Sequence, residues 1–368
     1  MQRFHRPIAP ALLALALLAP NLAAQAGAEP DMAVDATTRR QVIEGVLSRL
    51  HAAYVFPETA HEMEAAIRAR AEQGEYDAIS SARALADSLT SHLQAVSKDR
   101  HLRVRFSARP IPVDRPDEEP TPEMRERQAD MLRRINFGFE RVERLEGNIG
   151  YLELRGFAPA GVQGAEDAVA AAMEFLARTD ALVIDLRRNG GGDPAMVRLI
   201  SSYLFGAEPV HLNSLYWRPD DRTEEFWTFA GVKGTRYGPD RPIYVLTSQR
   251  TFSGAEEFSY NLKNLNRATI IGETTGGGAH PGGMQRVSDH FGVWVPSGRA
   301  INPITGTNWE GTGVEPDVKV PADQALETAH LSAVRALLDT ATDPERRQAL
   351  EQVIRDLEGK PGSPGSRP

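Results

Sequence analysis

Cysteine is absent from the 368 residues. That excludes disulfides, a thiol nucleophile, cysteine-ligated zinc, iron–sulfur clusters and a cysteine-linked lipid anchor. Stability must then come from core burial, which a chain of this length can supply. An excess of basic charge is also missing: 42 Lys and Arg stand against 50 Asp and Glu, a formal net charge of -8. This argues against a nucleic-acid partner and against a basic membrane-surface patch. The apolar run Ile8–Leu18 is too short, and too broken by Pro10 and the following Pro20, to span a bilayer comfortably. No repeat of solenoid or propeller period occurs. The glycine turns Asn189-Gly190-Gly191-Gly192 and Gly276-Gly277-Gly278 are followed by no Gly-Lys-Ser/Thr, and neither reads as G-x-G-x-x-G. His61-Glu62 lacks the second histidine of a zinc-peptidase helix. The residues thus imply no cofactor and no metal.

What is present begins with an address. Arg3 and Arg6 precede the apolar run, and Ala24-Gln-Ala26 offers a small-residue cleavage site. Residues 1–26 are therefore expected to be a signal peptide cleaved near Ala26, with the mature protein periplasmic or secreted and without an integral membrane segment. A hydrophobic content of 41% and a charged content of 25% are those of a globular protein. Apolar residues recur at helical spacing through Val42, Val46 and Leu50, then Met63 and Ile67, then Leu85, Leu89 and Leu93. With the alternating strand Leu102–Phe106, they predict a small helical N-terminal domain over 38–106. A Pro- and acid-rich connector and a charged helix occupy 107–144. From 145 to 322, strands such as Ala181–Leu186 and 242–247 alternate with helices, which predicts an α/β core with a parallel or mixed sheet. C-terminal helices over 323–358 and a disordered tail over 359–368 complete the expected order.

The chemistry centres on Thr251-Phe-Ser253-Gly-Ala-Glu256, where an apolar strand turns sharply into a helix. A hydroxyl at such a turn is favoured as a nucleophile because helix amides and dipole stabilise a developing anion. Ser253 with Glu256 also reads as a capping box, the commoner role for such a serine. Glycine turns after apolar strands serve either positive φ or the exposure of backbone amides to a ligand. A serine nucleophile needs a base and usually an orienting acid. His101, His280 and His290 lie in loops or strand entries, whereas His51, His61, His92 and His330 lie in helical stretches. Glu256, Glu273 and Glu310 are the candidate acids.

Four segments in register resemble one family: Lys98-Asp-Arg-His-Leu-Arg-Val104, Asn189-Gly-Gly-Gly192, Thr251-Phe-Ser-Gly-Ala-Glu-Glu-Phe258 and Ile271-Gly-Glu-Thr-Thr-Gly-Gly-Gly278. They are similar to the tail-specific, or carboxy-terminal-processing, serine peptidases. The likeness is greatest to the branch named for interphotoreceptor retinoid-binding protein, with a tricorn-like catalytic core, and it extends over roughly residues 40 to 320. The resemblance implies a crotonase-like α/β core, a peptide or protein substrate, and Ser253 as nucleophile. It also implies an oxyanion hole from the amides of Gly254 and of Gly190 or Gly191. The lysine base of the processing branch falls at Gly277, so a Ser-Lys dyad is absent, and Lys263 is too far along the helix to replace it. The tricorn-like arrangement instead implies His101 as base and Glu310 as orienting acid, with His280 as the alternative base. No segment resembles an inserted PDZ domain. Because the branch's namesake carries a retinoid, a non-catalytic hydrophobic-ligand protein is the second reading, and an ester or small-molecule amide hydrolase a third.

Overall fold

The computed structural model describes residues 30–113 and 121–359. The expected signal peptide, the connector segment 114–120 and the tail from 360 lie outside the described residues. The chain opens with helices α1 (Ala36–Ala53), α2 (Pro57–Glu72) and α3 (Ala82–Ser97), followed by strand β1 (Arg103–Phe106). Helix α4 (Pro122–Arg134) leads through a short 3-10 turn, Asn136–Gly138, into β2 (Phe139–Leu145) and β3 (Ile149–Leu154). Then come α5 (Ala165–Leu176), β4 (Ala181–Asp185), α6 (Pro194–Ser202), β5 (His211–Trp217), β6 (Arg222–Trp227), β7 (Ile243–Thr247), α7 (Gly254–Asn264) and β8 (Thr269–Gly272). Strands β9 (Gly282–Arg286), β10 (Phe291–Pro296), β11 (Gly298–Ile301) and β12 (Val318–Lys319) precede the C-terminal helices α8 (Ala325–Thr340) and α9 (Pro344–Glu358).

The central sheet has six strands in the order β12-β8-β7-β4-β3-β2. All neighbours are parallel except the β2–β3 pair, so the sheet is mixed. Alternate residues of its inner strands feed two cores. Leu182, Ile184, Val245 and Ile270 pack with Val169 and Met173 of α5, Ile200 of α6 and Phe258 of α7. On the other face Val183, Tyr244, Leu246 and Ile271 pack with Ala329 and Ala333 of α8 and Leu350 of α9. Both faces being covered explains why β4 and β7 read as almost wholly apolar runs.

The three N-terminal helices do not close a core by themselves. Leu47, Leu50, Leu85 and Leu89 pack on Phe291, Val293 and Val295 of β10. Strand β1 pairs antiparallel with β10, Arg103 opposite Trp294 and Phe106 opposite Phe291, and β10 pairs with β9. The expected helical domain thus carries a three-stranded sheet, two strands of which come from nearly two hundred residues later in the chain. A third sheet, β11-β5-β6, includes two strands within 211–227 that the sequence pattern did not single out.

Candidate active site

Adjacent parallel strands β4, β7 and β8 send their carboxyl ends to the same edge, where open α/β sheets hold their ligands. Three loops meet there and are pinned to one another. The Phe252 amide donates to Asn189 O at 3.1 Å and the Gly276 amide to Thr251 O at 2.9 Å. Asn189 Nδ2 donates to Leu154 O at 3.0 Å, and Thr251 Oγ1 to Leu186 O at 2.8 Å.

Ser253 opens α7 with φ 53° and ψ -121°. A side chain in this region costs about 1–3 kcal/mol and persists only where the surroundings enforce it. Enforcement comes from Glu256, wholly buried, whose carboxylate accepts four donors. Oε1 takes the Thr275 hydroxyl at 2.5 Å and the Gly277 amide at 2.6 Å. Oε2 takes the Ser253 amide at 2.8 Å and the Gly278 amide at 2.9 Å. Burial pushes the Glu256 carboxyl up to about 7 against the pull of these donors. Glu256, read from the sequence as a cap or an orienting acid, is thus the clasp between the serine turn and the second glycine cluster.

The first glycine turn lies directly against the serine. Gly191 has φ +105°, and a Cβ there would fall 2.7 Å from Gly254 N and 2.8 Å from Ser253 Cβ. Only glycine permits that approach. The Gly191 amide already donates to Asn189 Oδ1 at 2.8 Å, so of the two expected donors in this turn Gly190, half-buried, is the one without that internal bond. Where the processing peptidases would carry lysine, Gly277 sits at φ +81° with the Gly311 and Gly313 backbone 3.1–3.2 Å from the position of a Cβ. Lys263 is engaged elsewhere, at 2.9 Å from Asp317 Oδ1 and bonded to Glu315 O.

The N-terminal unit delivers its histidine to this edge. Helix α3 stops at Lys98 in the left-handed region, and Asp99 Oδ1 then accepts the His101 amide at 3.0 Å, turning the chain into β1. Arg100 reaches across to Gly276 O at 2.6 Å. The His101 ring lies against the Phe252 ring, centroids 4.5 Å apart, and close enough to Gly278 that a Cβ there would be 2.7 Å from His101 Cε1. Both ring nitrogens of His101 are buried without a hydrogen-bond partner, so no such bond joins it to Ser253 or Glu310. Burial lowers its pKa to about 4, with Asp99 opposing. Its imidazole is neutral, as a general base requires.

Glu310 and His280 form a second cluster with Asp99. His280 Nδ1 is 2.8 Å from Asp99 Oδ2 and 3.5 Å from Glu310 Oε2. Asp99 Oδ1 is 4.0 Å from His101 Nδ1. Ala279 N donates to Glu310 Oε2 at 2.5 Å, while Glu310 Oε1 is buried without a partner. Burial, then the neighbouring Asp99, pushes the Glu310 carboxyl up to about 7. For His280, burial acts downward, but the hydrogen bond to Asp99 and the charge of Glu310 outweigh it and the pKa rises. Asp99 therefore stands between the two histidines. Sequence reasoning passed over it, although it is the acid of the Asp-x-His segment. Of the other candidates, the Glu273 carboxylate accepts the amides of Gln249 and Ala322, at 3.3 and 3.4 Å, and His290 pairs with Ser107 O at 3.0 Å.

An α/β scaffold that holds a strained serine at a helix mouth, with a glycine turn pressed against it, is one used for nucleophilic acyl chemistry. Residues 148–320 match the profile described as Peptidase family S41, and residues 36–140 match the N-terminal domain of Peptidase_S41 in eukaryotic IRBP. The chain belongs to peptidase family S41. It is 26% identical over 218 residues to the tricorn protease of Thermoplasma volcanium, covering 59% of this chain and 18% of that one. It is 29% identical over 164 residues to the carboxyl-terminal-processing protease of a Synechocystis species, covering 42% of this chain and 34% of that one. The chain therefore spans only a minor part of either relative. In fold it is similar to the crystal structure of a candidate peptidase from Parabacteroides merdae, with TM-score 0.56 and 17% identity, over 83% of this chain and 99% of that one. A lipoprotein from Streptococcus agalactiae is also similar in fold, with TM-score 0.52 and 13% identity, over 84% and 99% of the two chains.

Proposed function

We propose that the chain is a serine peptidase acting through a Ser253–His101–Glu310 acyl-enzyme mechanism. The observation that carries this reading is the strained Ser253, held by Glu256 at the mouth of α7 with Gly191 packed on its Cβ and the Gly254 amide beside it. Ser253 Oγ attacks the scissile carbonyl while His101 takes its proton. The Gly254 and Gly190 amides hold the tetrahedral oxyanion, and the C–N bond breaks as His101 returns the proton to the leaving amine. Water then hydrolyses the ester by the same route. His101 reaches Ser253 by rotating its ring off Phe252 once substrate fills the edge, since catalytic hydrogen bonds commonly tighten only in the complex. Asp99 and Glu310 supply the negative charge that stabilises the imidazolium.

Family membership and the two relatives, each named a protease, support a peptide or protein substrate. Among the described residues no helix is long and apolar enough to cross a membrane. The leader pattern of residues 1–26 supports export, which N-terminal sequencing of the mature protein tests. The mechanism is tested with a fluorophosphonate probe. The purified protein labels, and Ser253→Ala abolishes labelling while its urea midpoint stays unchanged. Undiminished labelling of Ser253→Ala refutes the nucleophile assignment.

A further inference from the structure

Asp99, His280 and Glu310 offer one ligand atom each within 4.8 Å of one another. Two carboxylates and an imidazole are the donor set of a divalent first-row ion. Tetrahedral zinc with bonds of about 2.0–2.2 Å sets its ligand atoms about 3.3–3.5 Å apart. The His280–Glu310 separation is 3.5 Å, and the His280–Asp99 separation of 2.8 Å needs to open by about half an ångström. The ligands are already held from behind, as metal ligands usually are. Ala279 N fixes Glu310, the His101 amide fixes Asp99, and the Tyr54 hydroxyl stands 3.4 Å from Asp99 Oδ2.

A second observation concerns groups left idle. His101, 6% exposed, has both ring nitrogens without a partner, and its Nδ1 faces Asp99 Oδ1 at 4.0 Å. Glu310 Oε1 is likewise buried and unpartnered. A network that served only as a salt bridge between His280 and Asp99 leaves these atoms unused, at a cost of about 1–3 kcal/mol for each buried unsatisfied group. An ion between them engages one His101 nitrogen and the Glu310 carboxylate, and so relieves part of that cost.

We propose that Asp99, His280 and Glu310, with His101 as fourth ligand, form a divalent-metal site, and that zinc bound there silences the peptidase. The ion occupies the lone pair that His101 needs to accept the serine proton, and it neutralises the acid that stabilises the imidazolium. The inhibitory half rests on the peptidase reading above; the binding half does not.

The binding half is therefore measured on the full mature chain carrying Ser253→Ala, stripped with a chelator and titrated calorimetrically with Zn2+. One ion per chain is expected, and Co2+ in its place is expected to give the visible absorption of a tetrahedral site. His280→Gln and Asp99→Asn, checked for an intact urea midpoint, lose affinity by about 100-fold or more. His61→Ala serves as control, because the His51–His61 ring pair, centroids 4.8 Å apart at the surface, is the obvious adventitious site. No bound ion at millimolar zinc, or binding lost with His61→Ala and kept in His280→Gln, overturns the site. The inhibitory half is measured as fluorophosphonate labelling of the wild-type chain. Zinc slows it at least tenfold, chelator restores it, and unchanged labelling with the ion bound overturns the inhibition. Wild-type protein that never labels refutes the peptidase reading instead, with the calorimetric result standing apart.

Discussion

Glu256→Gln isolates the clasp on which the serine turn depends. The carboxylate has two acceptor oxygens, and each receives two donors: Thr275 Oγ1 and Gly277 N on one, Ser253 N and Gly278 N on the other. Glutamine preserves the shape but replaces one oxygen with an NH2 group, which donates only. If the NH2 lies toward Ser253 and Gly278, two backbone amides lose their acceptor. If it lies toward Gly277, the Thr275 hydroxyl can turn to accept, though it already accepts the Val314 amide at 2.7 Å, and one amide is stranded. The second orientation is the cheaper. One buried donor left unsatisfied gives an expected destabilisation of about 1–3 kcal/mol. Glu256 is wholly buried, so solvent does not fill in. Urea unfolding with linear extrapolation reads this loss as a lower midpoint at unchanged slope. Fluorophosphonate labelling reads the second consequence: with the 275–278 loop released, labelling slows by more than the population unfolded accounts for. A variant with wild-type midpoint and wild-type labelling refutes the clasp.

Two further outcomes follow from the same edge of the sheet. Gly191→Ala puts a methyl into the Gly254 amide and the Ser253 Cβ at a φ of +105°; it should lower the labelling rate by about 100-fold or more, the size of a lost oxyanion donor, and stability by about 1–3 kcal/mol. Wild-type labelling in that variant removes the glycine turn from the site. Glu257 supplies a pH dependence: burial, opposed by Asn213 and reinforced by Asp193, pushes its carboxyl up from 4.5 to about 8. Between those values the folded chain binds a proton that the unfolded chain has lost, so its stabilising contribution is complete below about 4.5 and fades as pH rises toward 8. Urea midpoints at pH 5 to 8 should decline less steeply in Glu257→Gln than in wild type, and identical slopes contradict the assignment.

The strands that build the sheet's middle were legible because helices cover both their faces, which leaves β4 and β7 almost wholly apolar up to Asp185 and Thr247 at their ends. Helices α1 to α3 were legible from spacing, since each buries one stripe. Strand β2 was not. Phe-Glu-Arg-Val-Glu-Arg-Leu lies at the sheet's edge, with exposed charges between its apolar residues, and its local pattern resembles the charged helix before it. Strands β5 and β6 escaped for a related reason, as Asn213 and Ser214 are buried polar residues within β5. At the site, Ser253 and Gly254 share one strand-to-helix turn and Gly191 lies in the glycine turn after β4, so each turn was visible in its own local pattern, but not their contact. The Asp99–His280 bond links residues 181 positions apart. It exists only because β1 pairs with β10, and no local pattern encodes a contact of that span.

The shared core of the N-terminal helices and β10 also bears on when the candidate site can form. During synthesis the chain emerges from its N-terminus, and the segment bearing His101 appears long before residues 291–295. Until Phe291, Val293 and Val295 arrive, the apolar faces of α1 and α3 have no partner and β1 no strand to pair with. On the proposed reading, the nascent chain lacks its base in place beside Ser253. The edge that gathers Asp99, His101, His280 and Ser253 is completed only once β10 is available to pair with β1.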